Sequence, residues 1–84
     1  MRERLLLNLL EICVTSNEPL YQLLGLAHPQ TPQRYLAAGT RSIHWRSRYG
    51  LAQNPSTPPA ALAELAHDGN VFVRAAAQRS GARS

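Results

Sequence analysis

The sequence predicts an all-α protein: a short solenoid of stacked repeats built from about six short helices. Three observations carry that expectation. The block HPQTPQRYLAAGTRSIHWRSRYGLA, from His28, is echoed from Asn54 by NPSTPPAALAELAHDGNVFVRAAAQ, so that Pro29, Thr31, Pro32, Leu36, Ala37 and Arg48 each meet a matching residue 26 positions later, at Pro55, Thr57, Pro58, Leu62, Ala63 and Arg74. A period of this length in a helical sequence implies units that bury their apolar stripes against one another. A threonine–proline pair heads the apolar run in both copies, the residue order that opens a helix. Finally, 84 residues of which 44% are apolar and 17% charged make one foldable domain, outside the composition of chains that stay disordered.

Each helix has its own start and stop. The first is expected over Arg4–Val14, where Leu5, Leu6, Leu7, Leu9, Leu10, Ile12, Cys13 and Val14 surround the axis almost completely; such a helix belongs between neighbours, because a surface helix has one apolar stripe. It reads as an N-terminal cap beneath the second and third helices, with a homodimer seam through Leu6 and Leu10 as the alternative for so small a chain. Ser16 or Asn17 caps a second helix over Pro19–Ala27. Thr31 and Thr57 serve as N-caps with Pro32 and Pro58 at the first helical position, starting helices that end near Gly39 and near His67. Residues 43–52 form the helix between them. Asp68, Gly69 and Asn70 turn the chain into a last helix over Val71–Arg79, which Gly81 stops. The chain thus divides into capping helices (1–27), a degenerate repeat (28–53) and a well-formed repeat (54–81) within one domain.

Charge is unevenly placed. All nine basic residues are arginine, against five acids, for a net charge of +4. Between Glu18 and Glu64 there is no acid, and Arg34, Arg41, Arg46 and Arg48 lie there, so the middle carries the entire excess. A basic surface of this kind suits an acidic protein partner, with nucleic acid as the second class. Four arginines are few beside the roughly six to ten phosphate contacts of a strong DNA binder.

The run YGLAQNPSTPPAALAELAHDGNVFVRAAAQ, Tyr49–Gln78, resembles the leucine-rich repeat variant, a HEAT-like bacterial family of the approximate pattern VRxxVAxNPxTPxxxLxxLAxDxxxxVRxxVA. The residues that carry the likeness are Arg48, Leu51, Ala52, Asn54, Pro55, Thr57, Pro58, Leu62, Leu65, Ala66, Asp68, Val73, Arg74 and Ala77. Ser47 stands where the family has valine, His28 where it has asparagine, and Ser42 where Asp68 represents an aspartate. The resemblance implies a right-handed superhelix. Extended surfaces of such a fold, together with the confined charge excess, point to a non-catalytic module that binds another protein, with nucleic-acid binding or a structural or regulatory subunit associating through the first helix as the alternatives. The resemblance also implies that Thr31, Pro32, Thr57, Pro58, Asp68 and Arg74 are repeat architecture, Arg74 bonding an acid such as Asp68 or a helix-end carbonyl.

The stretch IHWRSRYG, residues 43–50, divides between architecture and surface. On a helix, Ile43, Ser47, Gly50 and Leu51 share a core-facing side at i, i+4, i+7 and i+8, while Arg41, His44, Trp45 and Arg48 form a second stripe pointing substantially outward. With Arg46 and Arg34 these make the candidate partner-binding set, centred on a tryptophan among arginines, the residue types that dominate binding hot spots.

Other chemistry finds little support. His28, His44, His67 and Cys13 lack ligand spacing for a metal, and one cysteine can form neither an internal disulfide nor the iron–sulfur site some family members carry. No paired carboxylates or nucleophile with its base appear; Asp68, which the glycosylases among HEAT-like proteins make worth naming, already has a repeat role. The expectation is a non-enzyme without cofactors. The opening MRERLLLNLLEICVTSN has a basic start and a leucine run, but Asn8 and Glu11 interrupt it and no small-residue cleavage site follows, so the protein reads as cytoplasmic, with no membrane association.

Overall fold

The computed structural model describes residues 2–83, with the side chains of Ala82 and Arg83 left aside. Six α-helices follow one another: α1 (Arg2–Thr15), α2 (Pro19–Ala27), α3 (Gln33–Ala38), α4 (Trp45–Gln53), α5 (Pro59–Leu65) and α6 (Val71–Arg83), with a single 3-10 turn at Gly39–Arg41. No strand occurs among the described residues. The fold is an all-α helical repeat stack. α2, α4 and α6 begin 26 residues apart and pack in succession, α2 on α4 and α4 on α6, while α1 lies on α2, α3 on α5 and α5 on α6.

The core is made by the repeat positions themselves. Leu26, Leu36, Leu51, Ala52, Leu65, Val73, Ala76 and Ala77 form one buried cluster, flanked by Val14, Trp45, Tyr49, Leu62 and Ala66. Close approach of the helices depends on small residues. A Cβ on Gly50 would collide with the Leu23 side chain, and one on Gly25 would meet Cys13 and Val14, so these glycines set how near α2 comes to α4 and to α1.

Polar groups tie the units together in register. Asn54 donates its amide nitrogen to the carbonyls of Leu26 and His28, both at 2.8 Å, and accepts from the Ser56 amide at 2.9 Å. Ser80, one period later, donates to the carbonyl of Ala52. The turns entering α2, α4 and α6 are also built alike. The side-chain oxygens of Ser16, Ser42 and Asp68, 26 residues apart, accept the amides of Glu18, His44 and Asn70.

Several expectations are corrected. Thr31 and Thr57 are not N-caps: Pro32 and Pro58 occupy the cap positions and no side chain caps either helix. Both threonines lie one residue too early and are buried, with their hydroxyls turned back to donate to the carbonyls of Gly25 and Leu51 at the ends of α2 and α4. They close the preceding helix rather than open the next. α2 likewise starts at Glu18 as cap, with Ser16 bonding the Glu18 amide from outside. α6 runs through Gly81 to Arg83, as glycine stops a helix only where the chain adopts a conformation closed to other residues, and no described glycine has positive φ. Ile43 is 88% exposed, because α4 begins at Trp45 and Ile43 precedes it; Ser47, Gly50 and Leu51 are buried as expected. Finally, α1 is not sandwiched. It packs chiefly on α2, burying Leu10 and half-burying Leu6, Cys13 and Val14, and leaves Leu5, Leu9 and Ile12 in the open.

The threonine geometry makes a prediction that separates the two roles. Thr57→Ser, which keeps the hydroxyl, should stay near wild-type stability, whereas Thr57→Val should cost about 0.5–1.5 kcal/mol by removing the hydroxyl's bond and leaving the Leu51 carbonyl with the Asn54 amide alone. Thr57→Asn, an excellent N-cap, should also destabilise. Urea unfolding followed by circular dichroism reads all three; an asparagine variant more stable than wild type would restore the N-cap role.

Candidate interaction surface

The arginines of the middle segment have separate fates. Arg48 is spent inside the molecule: Nε and Nη2 donate to the two carboxylate oxygens of Asp68 at 2.6 and 3.2 Å, and Nη1 donates to the carbonyl of Ser42 at 2.6 Å. Both side chains are largely covered, 18% and 9% exposed. The planar fork fits the carboxylate with two donors and reaches the carbonyl with a third. An acid at position 42 is unnecessary because Asp68 arrives from the following unit. Arg48 is therefore withdrawn from the binding set.

Its equivalents repeat the pattern. Arg74 Nη1 donates to the main-chain oxygen of Asp68 at 2.7 Å, not to the carboxylate that Arg48 already holds. In the first unit Gln22 stands in for the arginine: its amide nitrogen donates to the Ser16 carbonyl at 3.3 Å, and its side-chain oxygen accepts from the Ser42 hydroxyl. A neutral glutamine–serine pair thus occupies the place of the Arg48–Asp68 ion pair one period earlier. Burial pulls the Asp68 carboxyl upward, but the Arg48 hydrogen bond, the Asn70 amide and the charges of Arg48 and Arg74 together hold it below the usual carboxylate range.

The remaining members of the set are scattered. Arg34, on α3, lies over the Tyr35 ring at 4.6 Å and 3.7 Å from Glu11 of α1, whose carboxylate also accepts the Tyr35 hydroxyl at 2.7 Å. Its charge is locally balanced and it does not join α4. Arg41 sits exposed in the 3-10 turn, and His44 is half-buried at the N-cap of α4.

What the structure does bring together is an aromatic platform on the outer side of α4 and α6. Trp45 is half-buried, packed against the core edge and stacked on Phe72 at 5.7 Å between ring centroids with 29° between planes; Tyr49 meets it edge-on at 6.3 Å. The Arg46 guanidinium lies over the Trp45 ring at 5.2 Å. Phe72 was missed from sequence although the period contains the signal. Phe72 is the equivalent of Arg46 and of Leu20, and all three are exposed, so they mark the same outward row on successive helices. Ile43 stands exposed just before α4.

Elsewhere, an open cleft of about 830 Å³ between α5 and α6 is lined by Asn54, Thr57, Leu62, Ala66, Ala77 and Gln78. Among the described residues no three metal-ligating side chains converge, and no helix is long and apolar enough to cross a membrane.

The sequence model of the leucine rich repeat variant family matches residues 45–70, one full 26-residue period from the start of α4 to the start of α6. Residues 45–70 are thus similar to a leucine rich repeat variant unit. Within this span Arg48 pairs with Asp68, and Asn54 reaches back to the carbonyls of Leu26 and His28. Neither the curated proteins nor the solved structures yield a match.

The ion pair has a pH signature. Because the folded-state pKa of Asp68 lies below its ordinary value of 3.8, its contribution is present above that value and is lost as pH falls through the lower folded-state one. Acid should therefore destabilise the wild type below about pH 4. Asp68→Ala, which leaves the Arg48 guanidinium with the Ser42 carbonyl alone, should cost about 1–3 kcal/mol at neutral pH and remove that part of the acid sensitivity. Chemical unfolding at a series of pH values tests this; an alanine variant as stable as wild type would show the pair to be idle.

Proposed function

We propose that the protein is a non-catalytic helical-repeat module that binds an acidic protein surface through the outer side of α4 and its neighbours, with Trp45, Arg46 and Phe72 at the centre and Arg41 and Ile43 at the edge. The observation that carries this reading is the stack itself: a guanidinium over an indole that in turn rests on a phenyl ring. Arginine on an aromatic face is held in place before any partner arrives, so less side-chain entropy is lost on binding. Exposed Ile43 and Phe72 add apolar area beside the charge, the mixture of anchor and rim that protein interfaces use.

The same details weigh against nucleic acid as the ligand. With Arg48 occupied by Asp68 and Arg34 balanced by Glu11, two cations of the middle segment, Arg41 and Arg46, remain for phosphates. One face of the indole is covered by Arg46 while Phe72 stacks against the ring system, which leaves little of it for a base to stack on.

The test is affinity capture from native extract with wild type, Phe72→Ala and Arg41→Glu/Arg46→Glu, beside fluorescence anisotropy on single- and double-stranded oligonucleotides. Phe72→Ala should weaken the captured interaction by about 1–2 kcal/mol and the double charge reversal should abolish it, with helical content unchanged in both. Oligonucleotide binding whose salt slope falls by about one per arginine removed would replace the protein reading with the nucleic-acid one.

A further inference from the structure

The 26-residue equivalence identifies which positions face a neighbouring unit, and at the α1–α2 end those positions are uncovered. Ser47 and Gly50 of α4 are buried against α2, where Ser47 bonds the Pro19 carbonyl and Gly50 abuts Leu23. Their equivalents in α6, Val73 and Ala76, are buried in the core. In α2 the equivalents are Tyr21 and Leu24, and both stand open. On α1, Leu9 corresponds to Tyr35, which reaches back to Glu11, and to buried Ala61; Leu9 too is open. Stacking positions that are covered inside the molecule, by Ser47, Gly50, Val73, Ala76 and Ala61, thus hold uncovered large apolar side chains at this end.

Leu5, Leu9 and Ile12 line one side of α1 at i, i+4 and i+7, and Tyr21 and Leu24 line the outer side of α2; the five are between 51% and 65% exposed. Together they leave about 500 Å² of apolar surface uncovered, within the range of the largest patch on a monomer and more than half of the roughly 800 Å² per partner of a standard interface. The opposite end is built differently. Gln78 occupies the position of buried Leu26 and Ala52, and Arg79 that of Gln53, and both are exposed. A head-to-tail stack would set these side chains against a surface that carries Gln78 and Arg79 beside the open α5–α6 cleft of Leu62, Ala66 and Ala77.

We infer that the α1–α2 end is the interface of a homodimer, each copy covering the other's Leu5, Leu9, Ile12, Tyr21 and Leu24 about a two-fold axis. A self-complementary apolar face closes at two copies. This moves the seam away from Leu6 and Leu10: Leu10 is buried within the chain and Leu6 half-buried. The dimer leaves the α4–α6 platform open, so the two interfaces are independent.

Sedimentation velocity of the intact chain over roughly 1–100 µM tests it. Wild type and Arg79→Glu, a charge reversal at the far end, should sediment as dimers of twice the 9.3 kDa chain. Leu9→Arg and Leu24→Arg, one on each helix and neither in the core, should give the single-chain mass with unchanged far-UV circular dichroism, and the milder Leu24→Ala should raise the dissociation constant about tenfold. A wild-type monomer throughout that range overturns the proposal, as does a dimer that survives both arginine variants, or growth beyond the dimer that Arg79→Glu abolishes.

Discussion

Arg48 is where the repeat closes. Three donors of one guanidinium hold the carbonyl at the turn before α4 and the carboxylate at the turn before α6, so the two turns are kept at one separation. Six-residue helices such as α3 are too short to be stable alone, and a chain of this size has little core to spare. Without a fixed distance between successive turns, the apolar stripes of α4 and α6 would have no defined register.

The same device recurs with weaker chemistry where the chain can accept it. Gln22 and Ser42 make the neutral version between the turns before α2 and α4, and Arg74 keeps the carbonyl bond alone. Asn54, Thr31 and Thr57 complete the set, each buried and each satisfying helix-end carbonyls of the preceding unit. Every buried side-chain nitrogen and oxygen among the described residues has a partner. Polar residues in this core act as rulers; Leu26, Leu51, Val73 and Ala77 supply the burial that the rulers align.

A repeat stack solves its interior once and then faces two separate surface problems. Along its flank, positions outside the packing stripes are free to vary, and there Leu20, Arg46 and Phe72 differ at one equivalent site; this is where recognition can change without disturbing the fold. At its ends, positions built for packing lose their neighbour. One end answers with Gln78 and Arg79, the other keeps Tyr21 and Leu24.

The sequence by itself determined the fold class, the period and the number and order of the helices, with their ends placed to within about four residues, because the period is written in residues whose backbone demands are local: a proline at the head of α3 and α5, and the turn at Asp68, Gly69 and Asn70. It also marked Trp45, Arg41 and Arg46 as lying outside the repeat's needs. Tertiary structure decided the pairings. That Asp68 belongs to Arg48 rather than Arg74, that Thr57 turns back to Leu51, that Phe72 completes the Trp45 stack and that Ile43 escapes the core all join residues 6 to 27 positions apart, or depend on a helix start displaced by two residues. Helical periodicity tells which residues share a face. It does not tell which neighbouring helix that face meets, since this is set by packing geometry that no single segment contains.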